Sequence, residues 1–203
     1  MAGVPEGSGA HAAHPASRAG VPPERPAPPA WAPSGVGHTL RMSARTSPAG
    51  RPVTIRRAVA RDAKRLTRLV RGSGAYAGQY ASVVAGYRVG PDYLDAHRVF
   101  AAVDADAPAG PVLGFYSLVL VPPELDLLFV ADAAQGRGIG RLLVAHLRSE
   151  ARAAGLDRVK VVSHPPAEGF YLRVGAVRTG TVPANPPAVP WDRPELEFRV
   201  PPE

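Results

Sequence analysis

The sequence predicts an α/β fold: a mixed, mostly antiparallel sheet with one central parallel strand pair and helices on its flanks. Two observations carry that expectation. Early apolar and β-branched runs are separated by turn residues, which makes neighbouring strands antiparallel. Further on, an apolar run, a glycine loop, an amphipathic helix and a second β-branched run follow one another, and such a β-α-β unit has parallel strands.

The elements follow in order. Val53-Thr54-Ile55 opens a strand over 53–58. Asp62 stands where an N-cap belongs, at the start of a helix over about 62–71. A loosely helical stretch runs from Ala75 to Val89. Strands are expected at 99–103 and 112–121, joined as a hairpin by the turn residues from Asp104 to Gly110. Pro122-Pro123 leads to a strand over 124–130. Ile139, Leu143, Leu147 and Ala151 form one stripe of a helix over 139–154. A strand at 158–163, a short helix at 166–174 closed by Gly175, a strand at 176–181 and a last strand at 195–200 complete the domain. No internal repeat is evident.

The most informative stretch is Gln135-Gly136-Arg137-Gly138-Ile139-Gly140, between the strand at 124–130 and the helix at 139–154. Strand, glycine loop and helix present free backbone N–H groups to a phosphate, at the end of the helix whose dipole favours an anion. Glycine allows φ > 0 and a close approach of backbone to ligand. A Walker loop would end in Gly-Lys-Ser/Thr, whereas this loop ends Gly140-Arg141-Leu142. A dinucleotide fingerprint would place its third glycine where Arg141 stands, and would normally open a domain. A glycine-rich turn with no ligand is the plain alternative.

Gln135-x-x-Gly138-x-Gly140 resembles the acyl-CoA pyrophosphate loop of the GNAT N-acetyltransferase superfamily. Glu168-Gly169-Phe170-Tyr171-Leu172-Arg173-Val174-Gly175-Ala176 is similar to that family's second signature, and residues 53–62 look like its first strand and helix. The resemblance covers roughly 52–200, with the elements in the same order. It implies the GNAT fold, in which the strands at 124–130 and 158–163 run parallel and splay apart. It also implies acetyl-CoA as cosubstrate. The backbone of Leu128, Phe129 and Val130 would pair with the pantetheine arm. Gln135, Gly136, Arg137, Gly138, Ile139 and Gly140 would hold the pyrophosphate, with Arg141 either adding charge or standing solvated. An N–H near Phe129 would polarise the thioester carbonyl.

Moving an acetyl group to an amine requires the ammonium, with a pKa near ~10.4, to lose a proton, and the thiolate to gain one. Tyr171 stands where the family often places its tyrosine acid; packing beside Phe170 is the alternative. Glu124 and Asp126, two residues apart, share a sheet face if the strand is regular. Some family members carry a base glutamate at the position of Glu124. Either acid, or water, could be the base; solvated acids at a strand start are nearly as good a reading. His164 is a weak candidate for acceptor contact, His146 is read as a helix-flank residue, and Trp191 is either a pocket wall or an edge-packing residue. Direct transfer in a ternary complex is the leading reading. A non-catalytic CoA-binding sensor or scaffold module is the alternative.

Composition bounds the rest. The 203 residues hold no cysteine, so a Cys acyl-enzyme and thiolate metal sites are excluded. No His/Asp/Glu spacing reads as a metal site. Residues 1–51, dominated by Ala, Gly, Pro and Ser, are expected to be a disordered tail ahead of a domain over 52–203. Met42 is a candidate translation start. Of the net charge of +7, five arginines against two glutamates put +3 on the tail and leave +4 on the domain. No compact basic run or aromatic platform points to nucleic acid. No apolar stretch reaches the ~18 residues of a membrane span. The expected setting is cytoplasmic, and the expected partner is an amine acceptor. Homodimerisation, common in the family, stays open. Small metabolite amines, antibiotics, peptide N-termini and protein lysines all fit as acceptors.

Overall fold

A computed structural model describes residues 45–46 and 52–202. The expected tail and the candidate start at Met42 lie outside these residues, apart from the backbone of 45–46.

Eight strands form one sheet: β1 (Arg45–Thr46), β2 (Pro52–Arg57), β3 (Arg98–Asp104), β4 (Val112–Leu120), β5 (Pro123–Val130), β6 (Arg158–Val162), β7 (Val177–Val182) and β8 (Arg193–Arg199). The spatial order is β1-β2-β3-β4-β5-β6-β8-β7. Every neighbouring pair is antiparallel except β5 and β6. The expected hairpin is β3-β4. The last strand inserts between β6 and β7, so chain order and spatial order differ at that edge.

The helices are α1 (Ala63–Arg71), α2 (Ala81–Ala85), α3 (Pro91–Ala96), α4 (Ile139–Ala153) and α5 (Glu168–Arg173). The stretch expected to be loosely helical is broken into two 3-10 turns, Gly74–Tyr76 and Gly78–Tyr80, followed by α2. Helix α3 was not anticipated; Pro91 at its first turn suits a position where no N–H bond is lost.

Two cores lie on the two faces of the sheet. Against α4 pack Tyr116, Leu118, Leu125, Val159, Val161, Leu196 and Phe198. Against α1 and the following short helices pack Val99, Val103, Phe115, Leu127 and Phe129. In a sheet covered on both faces, runs such as Phe115-Tyr116 and Leu127-Leu128-Phe129 feed both cores alternately.

Two sequence expectations are corrected. Asp62 sits at the N-cap position but makes no cap bond to α1. Its fully buried carboxylate instead takes two hydrogen bonds from Arg56, at 2.8 and 2.9 Å, and one from the Val59 N–H at 3.0 Å. His146 is not a helix-flank residue. It is buried, shares a 2.7 Å hydrogen bond with Tyr116 Oη and packs on Phe100. Its neighbours Ala145 and Leu147 hide this, because a 3.6-residue period turns position 146 inward with Leu143.

Candidate active site

The parallel contact between β5 and β6 comprises only Glu124↔Lys160 and Leu125↔Val161. Beyond it the strands part, and the β5 edge from Leu127 to Val130 has no β6 partner. Ala131 N–H bonds to the Leu113 carbonyl at 2.9 Å. By the two-residue alternation of an antiparallel ladder, the main chain of Phe129 then also faces β4. Leu128 and Val130 turn their N–H and C=O groups into the gap.

At the wide end of the gap, β5 passes through a 3-10 turn into the glycine loop and α4. Gly136 and Gly138 have φ of 74° and 75°, a conformation that L-residues avoid. Gly138 is the N-cap and contributes no side chain. The first backbone bond of the helix is Leu142 N–H to Gly138 O at 3.1 Å, which leaves the amides of Ile139, Gly140 and Arg141 pointing outward. Gly140 is a glycine for a packing reason as well: a Cβ there would come within 3.0 Å of the Phe170 ring. Arg141 is exposed. Gln135 donates to Asp132 at 2.9 Å, and Asp132 also accepts from the Gly74 N–H at 3.0 Å. The loop is thereby tied to the 3-10 turn that carries Tyr76.

Tyr171 lies on α5 and is buried in the α4-side core against Phe170 and Phe198. Burial raises the pKa of its phenol, and the nearby Tyr76 hydroxyl raises it further. Tyr76 belongs to the opposite core and stacks on Phe129 at 5.5 Å. The two tyrosines thus belong to cores on opposite faces of the sheet.

A β-bulge at Asp126 breaks the regular alternation on which the shared face of Glu124 and Asp126 rests, yet Asp126 still acts electrostatically on Glu124. Ser117 faces Leu127 and Leu118 faces Leu125, so Asp126 is an extra residue without a partner. Asp126 accepts a short hydrogen bond from Tyr93 Oη, which also lies 2.8 Å from the buried Ser117 Oγ. Glu124 has no such anchor. Burial raises its pKa; Lys160 opposes that rise and Asp126 adds to it.

Sequence reasoning named His164 and Trp191 but missed Tyr76 and Tyr80, which join them in an aromatic wall over the mouth of the gap. Tyr76 stacks on His164 at 4.3 Å, Tyr80 meets His164 edge-on at 5.4 Å, and Tyr80 meets Trp191 edge-on at 4.7 Å. His164 Nε2–H donates to the Ala75 carbonyl at 3.0 Å, and burial lowers its pKa. A signal was present: four of the six tyrosines fall between 76 and 93, in a stretch with few aliphatic residues. Among the described residues no group of His, Asp and Glu is placed to hold a metal ion, and no helix is long and apolar enough to cross a membrane.

A protein-family model for the acetyltransferase (GNAT) domain matches residues 93–184. Three solved structures are similar. An N-acetyltransferase from Staphylococcus aureus shares 18% identity, with 73% of this chain and 99% of that one covered and a TM-score of 0.57. Spermidine N-acetyltransferase from Vibrio cholerae, in complex with CoA and spermine, shares 18% over 73% and 95% of the chains, with a TM-score of 0.57. A protein of acetyltransferase fold from Salmonella typhimurium, solved with its cofactor acetyl-CoA, shares 20% over 74% and 95%, with a TM-score of 0.57. No curated protein sequence matches the chain.

Proposed function

Because a family model for the acetyltransferase (GNAT) domain matches residues 93–184 and the fold is that of solved acetyltransferases, we infer that this chain moves an acetyl group from acetyl-CoA to a primary amine, by direct transfer in a ternary complex. The observation that carries the reading is the two-pair contact of β5 and β6, which opens a gap beside outward-pointing amides at the start of α4. Such a gap accepts an extended amide-bearing chain as if it were a strand, and such amides accept a diphosphate.

The residues fit that ligand. Main-chain groups of Leu128 and Val130 would pair with the pantetheine arm, and Phe129 would supply a ring beneath it. Gln135 to Gly140 would hold the pyrophosphate, with Arg141 adding positive charge at the exposed edge. Tyr76 and Phe129 shield the reacting end from water.

Glu124, directly or through water, would take the proton from the acceptor ammonium. Its raised pKa makes it a better base than an ordinary carboxylate. Asp126 is held by Tyr93 and would contribute negative charge rather than proton transfer. The amine lone pair forms the C–N bond, the C–S bond breaks, and Tyr171 Oη gives its proton to the departing sulfur. Burial keeps the Tyr171 phenol protonated at neutral pH, as an acid must be.

The test is thiol release from acetyl-CoA across a panel of amines. Turnover supports the reading. Coenzyme binding with no turnover of any amine would favour a sensor or scaffold module instead.

A further inference from the structure

The acceptor side of the gap holds two buried donors that meet no acceptor among the described residues: Trp191 Nε1–H and Arg193 Nε–H. Burying an unpaired donor costs about 1–3 kcal/mol, so two of them two residues apart in the chain are a feature that asks for a ligand.

Their surroundings define what that ligand would be. Along β8, Pro194, Leu196 and Phe198 are buried, whereas Arg193, Glu195 and Glu197 face the other way. Glu195 pairs with Lys160 at 3.8 Å and Glu197 with Arg158 at 3.8 Å, whereas the buried Arg193 Nε–H meets no acceptor among the described residues. The β6-β8 register continues past the named strands, because Ser163 N–H bonds to the Pro194 carbonyl at 2.9 Å. That register sets His164 opposite Arg193. Trp191, two residues before Arg193, closes against Tyr80, which closes against His164. Arg193 also acts electrostatically on Glu124, across the same face.

We propose that Trp191 and Arg193 form an oxyanion subsite, so that the acceptor is an amine carrying a carboxylate a few bonds from its nitrogen. The guanidinium and the indole N–H would hold the carboxylate, while Glu124 and Asp126 face the ammonium end. With Lys160 and Glu195 paired to each other, Arg193 at one end and Glu124 with Asp126 at the other match a zwitterion. The aromatic rings of Tyr76, Tyr80 and His164 exclude water between the two ends and strengthen both interactions. This inference rests on the transfer reading for its choice of amine, but the subsite can be tested without turnover.

The experiment uses matched pairs that differ only in the carboxylate: phenylalanine against phenethylamine, lysine against cadaverine, β-alanine against ethylamine. Thiol release from acetyl-CoA gives kcat/KM for each, and calorimetry in saturating CoA gives each Kd. The carboxylate member of the reacting or binding pairs is expected to be favoured at least about tenfold, or ~1.4 kcal/mol. Arg193→Gln should bring that ratio close to one, and Arg193→Lys should restore part of it. Trp191→Phe keeps the ring against Tyr80 and removes only the donor, and should lower the ratio severalfold with the fold intact by circular dichroism. Equal values within every pair, or a ratio unmoved in Arg193→Gln and Trp191→Phe, would overturn the subsite, as would a panel in which no member binds. Absence of turnover with retained carboxylate-dependent binding would instead overturn the transfer reading and leave the subsite standing.

Discussion

Tyr76 and His164 lie face to face, ring centroids 4.3 Å apart, one from the turn after α1 and the other from the end of β6. The stack spans the gap that β5 and β6 leave open. It is fixed at both ends, by the bond from His164 to Ala75 and by the stacking of Tyr76 on Phe129. Tyr76→Ala is expected to raise the acceptor KM about tenfold, the size of one or two aromatic contacts, with a smaller effect on kcat. Steady-state kinetics would check this; an unchanged KM would remove Tyr76 from the acceptor wall.

Tyr171→Phe deletes one oxygen from a packed site and leaves the ring contacts with Phe170 and Phe198 in place. Loss of a positioned acid costs about 100-fold or more in kcat. The melting temperature should barely move. An undiminished kcat would show that the sulfur leaves without help from this phenol.

Glu124→Gln should lower kcat/KM about 100-fold at neutral pH. In the proposed role of base Glu124 would work only when ionised, and burial lifts its pKa above the ordinary carboxylate value. Activity of the parent should therefore fall with acid at a pH above ~4.3, the value of a free glutamate. A pH-rate profile in which that acid limb survives unchanged in the variant would transfer the role to another group.

Gly136 and Gly140 are glycines for different reasons, and alanine should reveal it. At Gly136 a Cβ meets nothing within 4 Å, but φ is 74°, so the cost is backbone strain of about 1–2 kcal/mol. At Gly140 the backbone is helical and the Cβ meets Phe170 at 3.0 Å. Gly140→Ala should push α5 away from α4 and lower kcat through Tyr171, whereas Gly136→Ala should mainly weaken CoA binding. Calorimetry with CoA beside kinetics separates the two; identical profiles would contradict it.

Asp62→Asn should destabilise the domain by about 3 kcal/mol, because Arg56 keeps its charge and loses its partner. The Arg56 hydrogen bonds hold the Asp62 carboxyl below its usual pKa. Its stabilising contribution is therefore complete above the unfolded value of ~3.9 and disappears as pH falls through the folded value. Urea unfolding at neutral and acid pH would check both; a variant as stable as the parent at neutral pH would refute the first.

Much of this arrangement was legible. The turn residues from Asp104 to Gly110 declared the β3-β4 hairpin, and the glycine loop with its amphipathic follower declared the β5-α4-β6 unit. The central chemistry was less so, for reasons that concern particular residues. Glu124-Leu125-Asp126-Leu127 alternates like a regular strand, and nothing in it announces that Asp126 is surplus to the ladder. His164 and Arg193 are 29 positions apart, and only the insertion of β8 beside β6 makes them neighbours. The tyrosines at 76 and 80 sit on turns too short to show a period, so their shared face emerges only from contact with His164.

The unpartnered Asp126 has one more implication. On its N-terminal side Leu125 enters the core beneath α4, and on its C-terminal side Leu127 enters the core beneath α1. Excising Asp126 would let Leu125 and Leu127 follow one another opposite Leu118 and Ser117, as in a regular strand, so both they and Phe129 would keep their present interiors. A single surplus residue thus stands outside the ladder, and removing it alone would cost the contact with Tyr93 while leaving both interiors filled as they are.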